Sequence, residues 1–140
     1  MEQHKYTVSL KWEGDRKGIL KLKGRPDMKV ATPPDFGGPE GYWSPEELFV
    51  ASVLSCLMTT FLYFVFKNDL KLISYESEGN GFLGKVGEKM KFKEIYVNIR
   101  VQREKGEDIK KVETFLKLAE KYCLISNSAD VDVKLNFQVE

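Results

Sequence analysis

The sequence predicts an α+β fold of order βββ-α-ββ-α-β, with two helices packed on antiparallel sheet. Three observations carry this reading. An apolar stretch, Leu48 to Phe66, holds no charged residue. Segments with the period-two alternation of half-buried strands lie on both sides of it. Helical spacing then returns once, over Glu107 to Cys123. With 140 residues, 42% of them hydrophobic and 31% charged, the chain reads as one globular domain spanning 1–140.

The elements follow in order. Tyr6, Val8, Leu10 and Trp12 alternate with polar neighbours, Gly14 to Gly18 forms a turn, and Ile19, Leu20 and Leu22 restart a strand. Met28 to Thr32 supplies a third short strand, and the Pro- and Gly-rich run Pro33 to Gly41 ends regular structure. Ser44-Pro45-Glu46-Glu47 is a helix start: Ser44 caps, Pro45 suits the first helical position, and Glu47 completes a capping box. The helix then runs to Lys67-Asn68-Asp69. Ile73 to Phe82 and Met90 to Gln102 flank a turn-rich segment as a second hairpin, with Phe92, Ile95, Val97, Ile99 and Val101 on the apolar face and an irregularity at Lys93-Glu94. In the second helix Ile109, Val112, Leu116, Ala119 and Cys123 share a face with Phe115 and Tyr122. Val131, Val133, Leu135, Phe137 and Val139 alternate without a break as the final strand.

The first helix passes a length test for a membrane span, but it carries Ser52, Ser55, Thr59 and Thr60 and is flanked by strands. It reads instead as a helix buried on nearly all faces. One sheet covers one face, so the second wall must come from elsewhere. In a chain of this length the source is another copy, which predicts a homodimer and no membrane insertion.

Composition excludes several function classes. A net charge of +1 with dispersed basic residues leaves no footprint for nucleic acid. No apolar signal core opens the chain, so a reducing, cytoplasmic compartment is expected, where thiols stay reduced. One His and two distant Cys are too few for a zinc site, and a Ser-His triad lacks its imidazole beyond His4. Chemistry therefore falls to Cys56, in the middle of the apolar helix, and Cys123, at the end of the second helix. A thiol buried among apolar groups is inert, because desolvation disfavours the thiolate. A cation must reach Cys56; the helix holds none, and Arg16 at the tip of the first hairpin is the candidate.

Gly14-x-Arg16-x-Gly18, Pro33, Gly37-Gly38, Ser44-Pro45-Glu46-Glu47-Leu48-Phe49, Cys56 and Cys123-x-x-Ser126-Asn127 occur in an order that resembles the OsmC/Ohr family of osmotically induced and organic hydroperoxide resistance proteins. The resemblance spans nearly the whole chain. One departure is Leu124, which stands where many members carry Pro after the second cysteine.

The resemblance implies an OsmC-like fold, with sheets wrapped around two central helices in an intertwined homodimer. It implies a thiol peroxidase acting on organic hydroperoxides, with Cys56 as peroxidatic and Cys123 as resolving cysteine. By the same likeness, Arg16 activates the thiolate and Glu46 holds Arg16. No bound cofactor is implied, and the reductant is an external dithiol of the lipoyl type. Two other readings stay open: an apolar-ligand binder without turnover, and a redox sensor using the same two thiols. Glu46 and Cys56 lie ten residues apart, about 15 Å along a helix axis and about 80° around it. A compact site therefore requires a broken helix, an Arg16 that spans part of the gap, or a Glu46-Arg16 pair from the other subunit.

Overall fold

The computed structural model describes residues 2–140. Its contacts divide the chain into two compact units, residues 1–49 and 50–140, with the division just after the first turn of the long helix.

The N-terminal unit is a three-stranded antiparallel meander of β1 (Ser9–Trp12), β2 (Lys17–Lys21) and β3 (Met28–Ala31), with β2 in the centre. Trp12 pairs with Gly18 across the first turn. Gly14 and Asp15 take left-handed φ values of 97° and 49°, and Lys17 N–H donates to the Gly14 carbonyl at 3.1 Å. The Trp12 indole N–H reaches the Asp15 carbonyl at 2.8 Å and braces the same turn. After β3 a single 3-10 turn, Pro34–Phe36, leads to Gly38, which packs so closely on the Thr32 backbone that any side chain would collide with it. Ala31 N–H bonds the Trp43 carbonyl at 2.9 Å, a bridge that places Ser44 at the head of α1 (Pro45–Lys67).

The expected capping box is formed. Glu47 N–H donates to Ser44 Oγ at 3.1 Å, while Ser44 N–H and its hydroxyl donate to Glu47 Oε1 at 3.1 and 2.9 Å. Two donors at the helix start are thereby satisfied reciprocally. α1 runs without interruption and ends where Asp69 turns left-handed, at φ 54°.

In the C-terminal unit β4 (Leu72–Val86) and β5 (Lys89–Arg103) form a long antiparallel hairpin. Both strands extend through the segment expected as a turn, leaving Gly87-Glu88 as the connection, with Gly87 at φ 65°. The predicted irregularity is present: Phe82 pairs with Glu94 and Leu83 with Phe92, so Lys93 is the extra residue of a bulge. α2 (Ile109–Tyr122) starts at Asp108, whose carboxylate accepts from Lys110 N–H at 3.0 Å. A short α3 (Leu124–Ser128) follows, and β6 (Asp132–Val139) completes the sheet in the order β4-β5-β6.

β6 pairs with β5 in parallel, which corrects the expectation of a wholly antiparallel sheet. The reason is the helix between them: α2 carries the chain back, so the next strand restarts in the direction of β5.

The core lies on the inner face of this sheet. Ile95, Val97, Ile99 and Val101 of β5 are buried there, as alternation predicted. α1 contributes the stripe Val53, Leu57, Phe61 and Val65, and α2 contributes Val112, Phe115, Leu116 and Ala119. Gly79 and Gly81 on β4 let α1 approach closely, since a Cβ at either would meet Leu54 or Val50 side chains at 2.9 and 2.7 Å. Ile109 and Tyr122, expected on the apolar face of α2, stay 40% and 50% exposed at its two ends. α1 is long and apolar enough to cross a membrane by length and composition, yet within one chain a single stripe of it is buried.

Candidate active site

Each residue singled out from the sequence has a definite setting. Arg16 is exposed in the β1–β2 turn, and its Nη1 donates to the Gly37 carbonyl at 2.5 Å. It lines a cavity of about 550 Å³ in the N-terminal unit, with Leu10, Trp12, Thr32 and Pro45 among the walls. Glu46 is half-buried in the first turn of α1, and its Oε1 is buried with no hydrogen-bond partner. No ion pair joins Arg16 and Glu46 in this structure. The guanidinium is held by a neutral carbonyl instead.

In the C-terminal unit the fold brings Cys56 and Cys123 together. Both are free thiols, Cys56 half-buried and Cys123 fully buried. Cys123 closes α2 and opens α3, with extended backbone at φ −64° and ψ 110°. The Ser126-Asn127 pair holds this corner. Ser126 Oγ donates to the Cys123 carbonyl at 3.3 Å, and Asn127 Nδ2 donates to the Lys121 carbonyl at 3.1 Å, satisfying acceptors left open at the helix end.

The two thiols differ in acidity. Burial pushes the Cys56 thiol up, but hydrogen bonds from the Ile125 backbone N–H, the Cys123 thiol, the Thr60 hydroxyl and the Leu124 backbone N–H outweigh it. The net effect leaves Cys56 below the ordinary thiol value. Burial pushes Cys123 up, and the neighbouring Cys56 sulfur adds to that shift against the opposing Ser126 donors. Cys56 is thus the more acidic thiol of the pair and Cys123 the less acidic. The donors acting on Cys56 are neutral and come from its own unit. A cation is the activator expected from the sequence; the signal there for one of these neutral donors is Thr60, four residues after Cys56 and on its helix face.

Residues 37–137 match the family described as OsmC-like protein. The chain belongs to that family. No curated protein sequence is significantly similar to this OsmC-like chain. Among solved structures, an OsmC-like protein of unknown function from Vibrio cholerae superposes with a TM-score of 0.90 at 21% identity, covering 97% of this chain and 100% of that one. An organic hydroperoxide resistance protein OsmC from Legionella pneumophila is similar at 26% identity and a TM-score of 0.73, over 98% and 100% of the two chains. An organic hydroperoxide resistance protein from Elizabethkingia anophelis gives a TM-score of 0.78 at 20% identity, over 99% and 100%. The OsmC-like fold expected from the sequence is thus the fold observed, with β6 parallel rather than antiparallel to β5.

Proposed function

We propose that this OsmC-like protein is a thiol peroxidase that reduces organic hydroperoxides to alcohols. The observation that carries this reading is the Cys56–Cys123 pair, in which the Ile125 backbone N–H and then the Cys123 thiol lower the pKa of the first sulfur, while burial raises that of the second. The Cys56 thiolate attacks the terminal peroxide oxygen and the O–O bond breaks. The alkoxide leaves and takes up a proton, giving an alcohol and a sulfenic acid on Cys56. Cys123 sulfur then attacks that sulfenic sulfur, water leaves, and a Cys56–Cys123 disulfide forms. An external dithiol, for which a lipoyl-type compound is the proposed source, reduces the disulfide and is itself oxidised.

Arg16 and Glu46 enter through the family resemblance, Arg16 as the cation for the developing charge on oxygen and Glu46 as its holder. A guanidinium lining a largely apolar cavity and a buried carboxylate oxygen without a partner support those roles. A homodimer in the cytoplasm completes the proposal, α1 serving as its central helix rather than as a membrane span. Tyr63 and Phe66 of α1 are 58% and 76% exposed in one chain, and they border an open apolar recess of about 530 Å³. The relatives called organic hydroperoxide resistance proteins support the substrate class.

The test supplies reduced protein with an aromatic hydroperoxide and dihydrolipoamide, and follows loss of peroxide. Steady turnover is expected, abolished in Cys56→Ser. In Cys123→Ser one equivalent should be consumed and a sulfenic acid should accumulate on Cys56. Consumption of one equivalent by the unaltered protein, without recycling, points to a redox sensor. No consumption points to a ligand binder. Sulfenic acid on Cys123 with Cys56 intact reverses the assignment of roles.

A further inference from the structure

Serine and threonine hydroxyls within helices ordinarily donate back to a carbonyl one turn earlier. Ser55 does so to Ala51 O at 2.5 Å, Thr59 to Cys56 O at 3.2 Å, Thr114 to Lys110 O at 2.8 Å and Ser128 to Leu124 O at 2.6 Å. Thr60 is different. The carbonyl four residues before it is that of Cys56, which Thr59 already engages, and the Thr60 hydroxyl lies instead 3.9 Å from Cys56 Sγ. Thr60 and Cys56 are both half-buried, so water competes only in part for either partner.

We propose that Thr60 is a positioning residue for the attacking sulfur: its hydroxyl donates to the Cys56 thiolate, fixing the sulfur on the α1 face and holding it ionised. The proposal rests on the peroxidase reading for its purpose, while the pairing itself is a property of the reduced protein. The bond belongs to the thiolate. A neutral thiol is a weak acceptor, and an anionic one is strengthened by charge, so a donor at this place favours ionisation. The backbone N–H groups of Leu124 and Ile125 at the α2–α3 corner also lower the Cys56 pKa, so stabilisation of the thiolate comes from two elements. Among these donors and the Cys123 thiol, Thr60 is the one that substitution removes without touching the backbone or the second sulfur.

The experiment compares Thr60→Val, which keeps shape and removes the hydroxyl, with Thr60→Ser, which restores it. Reduced full-length protein is labelled with iodoacetamide across a pH series, and Cys56 and Cys123 are read separately by peptide mass spectrometry. Thr60→Val should slow Cys56 labelling at neutral pH by about threefold to tenfold, the scale of one hydrogen bond of roughly 1 kcal/mol. Its alkaline plateau should stay unchanged, because access to the sulfur is the same. Thr60→Ser should recover most of the loss. Labelling of Thr60→Val that follows the unaltered protein at every pH overturns the proposal. Equal slowing in both variants, or a lowered alkaline plateau, assigns the effect to packing and overturns it as well. Hydroperoxide plays no part in this assay, so a failure here is distinct from an absence of turnover in the unaltered protein.

Discussion

Tyr75 shows how one buried side chain sets a pH limit on this protein. Its ring lies 5.5 Å from that of Phe61, in the packing between β4 and α1. The hydroxyl is buried beside Ser77 without a formed hydrogen bond. Burial raises its pKa to about 12. An unfolded chain ionises this phenol near pH 10, as an ordinary tyrosine does. The folded state is therefore fully favoured below about pH 10, and loses this contribution as pH rises toward 12. Tyr75→Phe removes both the unpaired hydroxyl and the titration. At pH 8 the variant should match or slightly exceed the unaltered protein in thermal stability. By pH 11 its advantage should have widened by about 1 kcal/mol. Melting curves at the two pH values check this, and an advantage that narrows would show that the hydroxyl has a partner.

At the scale of elements, the seating of α1 on β4 depends on two glycines rather than on shape-matched side chains. A Cβ at Gly81 would sit 2.7 Å from Val50 Cγ2 and 2.9 Å from a Phe92 ring carbon, closer than side chains tolerate. Gly81→Val should thus push the helix from the sheet and cost about 1–3 kcal/mol. Gly84, in the same strand, meets the flexible end of Lys93 at 3.2 Å, which can move aside. Gly84→Val is therefore the control and should change stability by less than about 0.5 kcal/mol. Chemical denaturation of the three proteins distinguishes the cases. Equal losses would mean that strand conformation, not helix approach, is the constraint. Because Cys56 lies one turn beyond Val53 on the same helix, a displaced α1 should also lose the acidity of Cys56.

For the whole molecule, the unresolved balance is between apolar surface and cover. Tyr6, Val8, Leu10 and Trp12 are 89%, 59%, 66% and 73% exposed, and α1 buries a single stripe. Exposed apolar area on this scale calls for a partner surface. The proposed homodimer should bury more than about 2,000 Å², in the class of obligate interfaces. Sedimentation at micromolar concentration should therefore give a dimer, and a stable folded monomer would sink the assembly. Mixing Cys56→Ser with Arg16→Ala under subunit exchange asks which chain supplies Arg16. Recovery of peroxidase activity is expected if a mixed dimer regains one complete site. No recovery after proven exchange would assign Arg16 and Cys56 to the same chain.

What could be read from the sequence was what local pattern dictates. The capping box at Ser44–Glu47, the buried face of β5, the stripe of α2 and the bulge at Lys93 all depend on neighbours within a few residues, so spacing alone located them. The motif residues were legible in the same way, and the match over residues 37–137 agrees with the family they suggested. Other features depended on contacts between distant segments. β6 runs parallel to β5 because α2 reverses the chain between them, a matter of packing direction that alternation does not encode. The short helix α3 and the turn at Cys123 lie in a segment with no periodicity to read. Cys56 supplied the clearest case. Its apolar helix argued for an inert thiol or a distant cation, whereas the fold sets Cys123, two backbone N–H groups and the Thr60 hydroxyl around its sulfur. Composition fixes whether a thiol is surrounded by apolar residues. Only tertiary structure decides which polar hydrogens point at it, because most of those donors come from another element.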